Sequence, residues 1–157
     1  VKIHQIKKHV LFNSRPYEQQ LPKIPAGMDN PIPDILAANA GKVIVLDFWA
    51  TWCSPCINEM KDGYPAFMEK YDPEQVVVVF LARNSPENIW RDQVSKLKFS
   101  DVHLLTNKEQ TNVVNKLFGI SGIPHHAIFD QQGKLVTAKT DGPRYGLADE
   151  VDKLLGL

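Results

Sequence analysis

Val43-Ile44-Val45-Leu46-Asp47-Phe48-Trp49-Ala50-Thr51-Trp52-Cys53-Ser54-Pro55-Cys56 is the stretch that decides how this chain folds. From Val43 to Phe48 it is an apolar run of strand length interrupted only by Asp47, the pattern of a strand covered on both faces of a sheet. Beyond Cys56, Ile57, Met60, Tyr64, Phe67, Met68 and Tyr71 recur at three- and four-residue spacing and predict a helix. Gly63 and Pro65 predict a kink or a break within it. A strand that runs directly into a helix puts Cys53 at the helix N-terminus, where free amide groups and the helix dipole stabilise a thiolate. Cysteines so placed in CxxC pairs have pKa values of about 3.5 to 7.5, against about 8.5 unperturbed. The thiolate is the attacking species in disulfide exchange. Two intervening residues let Cys56 fold back on a mixed disulfide, and Pro55 suits a first helical turn that needs no N–H from it.

Cys53 and Cys56 are the whole cysteine content of a 157-residue chain. The count excludes a disulfide framework and a complete four-cysteine zinc site. Haem attachment needs His after the second Cys, and Ile57 stands there. A redox pair, half of a metal site and chance remain as readings of the pair alone. Lys plus Arg number 18 and Asp plus Glu 18, a balance that speaks against a nucleic-acid partner and against a polybasic membrane patch. No apolar stretch approaches the length of a membrane span. The hydrophobic fraction of 43% and charged fraction of 23% are those of a globular domain. A chain of this length buries roughly 70% of its unfolded surface.

Upstream, residues 1–41 hold five of the eleven prolines and read as an irregular lead-in packed on the same domain. A short helix is expected there from Asp34, with Pro33 near its start and Gly41 as its stop. Residues 42–157 read as the domain proper. Val76–Ala82 is a second buried strand. A helix follows with Ser85 as N-cap and Pro86 as first residue, running to about Lys98. Val102–Leu105 is a short strand. Thr106 and Glu109 form a capping box for a helix whose apolar face is Val113, Val114, Leu117 and Phe118, ending at Gly119. His126–Asp130 and Lys134–Ala138 form a hairpin with Gly133 at the turn, and Leu147–Leu155 closes the chain as a helix. Strand–helix alternation followed by a hairpin and a helix gives an α/β sandwich around a mixed sheet.

Trp52-Cys53-Ser54-Pro55-Cys56 after Asp47-Phe48-Trp49-Ala50, followed about 70 residues later by Gly122-Ile123-Pro124 before a strand, resembles the thioredoxin superfamily. The lead-in, the Trp49–Cys53 wording and Glu59 three residues after Cys56 are similar to the TlpA/ResA-like extracytoplasmic thiol-disulfide oxidoreductases. The resemblance covers roughly Lys42 to Leu157. It implies a thioredoxin fold, a three-layer sandwich with a central mixed sheet between helices, and a cis Ile123–Pro124 bond. There are departures. Lys61 stands where the family usually has Pro, His125 where Thr is common, and Val76–Ala82 lacks the strand Lys that thioredoxin pairs with its buried Asp.

The resemblance implies a protein-disulfide reductase working without cofactor or metal. Cys53 would attack, Cys56 would resolve, and buried Asp47 would exchange a proton with Cys56, helped by Glu59 one helical turn away. Trp52, Ile123, Pro124 and His125 would contact substrate, with an extended partner segment pairing at Ile123. Of the adjacent His125 and His126, which must point to opposite faces of a strand, one could tune the pair. The partners are disulfide-containing proteins and an upstream thiol donor, and the protein is a monomer. A copper- or haem-handling module, or an oxidase or isomerase of the same fold, is the alternative. Beginning at Val1, the chain reads as a mature protein or excised domain whose signal or membrane anchor has been removed. That sets it in the bacterial periplasm or cell envelope, although a lone CxxC also fits a cytosolic enzyme.

Overall fold

Every side chain of β2 (Val43–Trp49) and β3 (Val76–Ala82) is buried, as apolar runs without alternation require. The computed structural model describes residues 2–3, 29–97 and 101–157. Its sheet has six strands in the order β1-β4-β3-β2-β5-β6. The others are β1 (Lys2–Ile3), β4 (Val102–Leu105), β5 (His125–Phe129) and β6 (Leu135–Thr140). β1 to β4 run parallel, whereas β5 is antiparallel to both β2 and β6. The β5–β6 turn is made by Asp130, whose carboxylate accepts from the Gln132 and Lys134 amides, and by Gly133 at φ 77°.

Alternation along β2 and β3 sends residues to two separate cores. Ile44, Leu46, Phe48, Val77, Val79 and Leu81 pack against α1 (Ile32–Ala38) and α5 (Lys108–Phe118). Val43, Val45, Trp49, Val78 and Phe80 face α2 (Ser54–Asp62), α3 (Tyr64–Lys70), α4 (Glu87–Ser95) and α6 (Leu147–Leu155). This is the expected three-layer thioredoxin fold. Ile32, Ile35 and Leu36 carry α1 into the first core. Among the described residues no helix is long and apolar enough to cross a membrane.

The expected break falls at Gly63, between α2 and α3. Three helix starts differ from expectation. α1 begins at Ile32 because the Asn30 side chain accepts from the Ile32 amide at 3.0 Å. α4 begins at Glu87, after Pro86, because the Ser85 hydroxyl is engaged elsewhere: it donates to the Arg83 carbonyl and accepts from the Thr51 amide. The capping box of α5 is Asn107 with Gln110, one residue later than the Thr106–Glu109 pair. Thr106 is still held by the sheet, its hydroxyl and amide both donating to the Ala82 carbonyl. α4 ends at Ser95, short of the expected Lys98, because Lys96 caps it with its amide donating to the Gln93 carbonyl. Most of the proline-rich lead-in lies outside the described residues.

One row of the sheet bears directly on the chemistry. His103 on β4 pairs with Phe80 on β3, Phe80 with Asp47 on β2, and Asp47 with His126 on β5. Cross-strand partners share a face, so three ionisable side chains cross the sheet beneath α2 and α3.

Candidate functional site

Cys53 is the N-cap of α2, and its Sγ accepts from the Cys56 amide at 3.3 Å. The two cysteines form a disulfide with a Cα separation of 5.3 Å. Both are buried, Cys53 5% and Cys56 2% exposed, so Cys53 is the nearer to solvent. The β3–α4 turn braces the loop that carries them. Arg83 N–H donates to the Trp49 carbonyl, Thr51 N–H to the Ser85 hydroxyl, and Gln93 Nε2 to the Thr51 carbonyl. Trp52 stands 62% exposed beside Cys53, and its indole N–H donates to the Asn84 carbonyl at 3.0 Å. Asn84 adopts φ 47°, in the left-handed region that Asn tolerates.

The Ile123–Pro124 bond is cis. Ile123 is partly buried and packs against both hydrophobic clusters, including the one on the cysteines' side of the sheet. His125 and His126 face opposite ways, as alternation demands. His125 turns to the first core, edge-on to Phe48 at 5.8 Å, with Nε2 2.6 Å from the Ala138 carbonyl. Its side chain is therefore on the opposite face of the sheet from the row containing Asp47. Burial is the main cause that lowers its pKa.

His126 faces the cysteines' side. Its Nε2 lies 2.9 Å from Glu59 Oε1 and 3.2 Å from Asp47 Oδ2. Asp47 Oδ2 also accepts from the Tyr64 hydroxyl at 2.6 Å. Asp47, Glu59 and His126 are each at most 5% exposed. Burial alone would lower the His126 pKa; the hydrogen bonds and charges of Asp47 and Glu59 outweigh it and raise the value to about 10. Burial first, then Asp47, pushes the Tyr64 hydroxyl well above its ordinary value. Cys56 and Glu59 share the buried face of α2, one turn apart. The trio's ligand-capable atoms lie within 4.8 Å of one another.

His126 and Tyr64 belong to the cluster but were legible only in part: the histidine as one of an adjacent pair, the tyrosine as an apolar helix position. The register that pairs His126 with Asp47 is the signal that unites them. His103, on the same row, is 0% exposed and stacks on Phe80 at 4.9 Å. Neither of its ring nitrogens has a partner among the described residues.

Gly142, in the loop before α6, closes the cluster from above. A Cβ there would collide with Glu59 Oε2 and come within 3.1 Å of His126 Cε1. Both neighbours are buried and mutually bonded, so they have little room to yield. Gly142→Ala is expected to cost about 1–3 kcal/mol through overpacking, read as a lower urea midpoint. An unchanged midpoint would mean that the loop moves aside freely.

Known proteins with similar sequence or architecture give a consistent picture. A family model described as thioredoxin-like matches residues 41–135. Thioredoxin from Coprinus comatus is 46% identical over 39 residues, 25% of this chain and 36% of that protein. The thiol-disulfide oxidoreductase ResA of Halalkalibacterium halodurans is 26% identical over 115 residues, 73% of this chain and 63% of that protein. The chain thus spans less than two thirds of either relative. A solved structure from Bacteroides vulgatus, provisionally described as a thiol-disulfide oxidoreductase, superposes with a TM-score of 0.66 at 30% identity, covering 77% of this chain and 78% of that one.

Proposed function

The chain belongs to the thioredoxin-like family, and we propose that it is a protein-disulfide oxidoreductase acting as a reductase. One observation carries this reading: a CxxC disulfide whose first sulfur caps the N-terminus of α2. In the reduced protein the Cys53 thiolate attacks one sulfur of a partner's disulfide. That S–S bond breaks, the departing sulfur takes a proton, and a mixed disulfide remains on Cys53. Cys56 passes its proton to the Asp47–Glu59 carboxyl pair, and its thiolate attacks Cys53 Sγ. The partner's second sulfur then leaves and is protonated. The partner has gained two electrons and two protons, and the Cys53–Cys56 dithiol has become the disulfide. An upstream thiol donor returns it to the dithiol by the same exchange.

Trp52 forms one wall of the substrate groove in this reading, and Ile123 with Pro124 the other. An extended partner segment pairs with the Ile123 backbone. His125, its imidazole turned to the far face, serves by anchoring the strand that follows. The CxxC wording and the likeness to ResA support work outside the cytoplasm, in a bacterial periplasm or cell envelope. The protein acts as a monomer, with residues 1–41 as a lead-in packed on the same domain and 42–157 as the exchange domain; the burial of α1 among Ile44, Leu46 and Phe48 supports that packing.

The test is turnover. With a dithiol donor present, catalytic amounts of the protein are expected to accelerate reduction of insulin disulfides, followed as precipitation of the free chains. A rate equal to donor alone refutes the reductase. A rate gained only when the oxidised protein is offered reduced substrate reverses the direction.

A further inference from the structure

His126 presents one ring nitrogen to two carboxyl groups at once, 2.9 Å from Glu59 and 3.2 Å from Asp47, in a space closed to water. We propose that His126 is a positioning residue of the exchange site: it ties Asp47 and Glu59 into one unit beneath Cys56, holds that unit's charge constant, and so sets the pH dependence of the Cys53–Cys56 couple. This rests on reading the cysteines as an exchange pair.

Two like charges this close and this buried are costly unless a cation offsets them. Among the described residues, the other groups facing the cluster bring none. Tyr64 on α3 contributes a neutral hydroxyl to Asp47. His103 on β4 is held neutral by burial, its pKa lowered to about 4 although Asp47 opposes this. The loop before α6 contributes the Gly142 backbone. His125 sits on the opposite face, and its own pKa is lowered by burial first and by the charge of His126 among lesser causes. The positive charge at the centre is therefore that of His126, which keeps its proton up to about pH 10. Across the neutral range His126 keeps that charge, so a proton handed over by Cys56 during exchange rests on the unit only in passing, and the couple's potential changes with pH only through its thiols.

Without the imidazole, two carboxyls whose oxygens lie within 4.8 Å would share one proton. That proton is lost as pH rises. The added negative charge, one helical turn from Cys56, disfavours thiolate and hence the reduced form. His126→Gln retains a hydrogen-bond donor and removes the charge.

The experiment equilibrates wild type and His126→Gln with glutathione buffers between pH 5.5 and 9 and reads the disulfide fraction by thiol alkylation. The two curves of potential against pH are expected to run together at low pH, where the shared proton restores the charge. Above an added inflection they separate. By pH 8 the variant is more reducing by tenfold or more in the equilibrium constant, about 30 mV for a two-electron couple. His126→Gln/Glu59→Gln, which removes the cation together with one carboxyl, is expected to lose the added inflection.

Parallel curves with a constant offset overturn the proposal, since a purely structural role would give those. The second measurement needs no variant. The His126 ring resonances of oxidised wild type are expected to stay at protonated positions through pH 8.5, and a titration near pH 6.5 would overturn it equally. Failure of both proteins to exchange with glutathione at any pH would instead refute the exchange reading, with the ring titration still deciding the state of His126.

Discussion

Cys53→Ser is expected to abolish disulfide reduction, whereas Cys56→Ser is expected to stop it halfway. Ser is among the best N-cap residues, so its hydroxyl can take over the bond that Cys53 Sγ accepts from the Cys56 amide. The helix start survives and the loss is chemical. Removing an attacking nucleophile costs more than about a thousandfold in rate, and Cys56, the one cysteine left in the chain, is buried deeper than the position it would have to replace. In Cys56→Ser the attack proceeds but nothing displaces the partner from Cys53, so the mixed disulfide accumulates and is visible as a heavier, reductant-sensitive species. Alkylation of reduced wild type near neutral pH is expected to label Cys53, the more exposed of the two, first. Labelling of Cys56 first, or a mixed disulfide trapped in Cys53→Ser, would exchange the two roles.

Stability of the oxidised protein is expected to peak near neutral pH and to fall on both sides, each limb owned by a different buried histidine. Burial lowers the His103 pKa from 6.5 to about 4. As pH falls through that interval the unfolded chain takes up a proton that the folded chain refuses. Stability is intact above about 6.5 and is lost toward 4, by on the order of 3 kcal/mol. His126 has the opposite sign. Its pKa is raised to about 10, so its contribution is complete below about 6.5 and is lost as pH rises toward 10. Urea titrations from pH 4 to 10 would trace both limbs. His103→Phe, which preserves the ring stack on Phe80, is expected to flatten the acid limb and leave the alkaline one. An acid limb unchanged in His103→Phe would assign it to other groups.

Local chemistry made the fold readable. β2 and β3 are uninterrupted apolar runs, and the Pro and Gly positions mark the break between α2 and α3. Errors arose where tertiary partners outbid a local motif. Thr106 satisfies the wording of a capping box, but the strand end claims its hydroxyl through the Ala82 carbonyl, and the cap moves to Asn107. Ser85 is withdrawn from capping in the same way by Thr51 and Arg83. The candidate site divides along the same line. Cys53, Cys56 and Glu59 are placed by helical spacing alone. His126 is placed by an antiparallel register with β2, across 79 residues of sequence, and two adjacent histidines carry no mark of which one faces down.

Trp52 stands exposed beside the disulfide, yet its indole is already fastened to the Asn84 carbonyl. A free surface tryptophan would have to be frozen by whatever docks on it, at a cost of about 0.5–1.5 kcal/mol. Here that ordering cost falls on folding, and the arriving chain meets a flat plate in a fixed pose. Such a plate makes few demands on the sequence that lands on it.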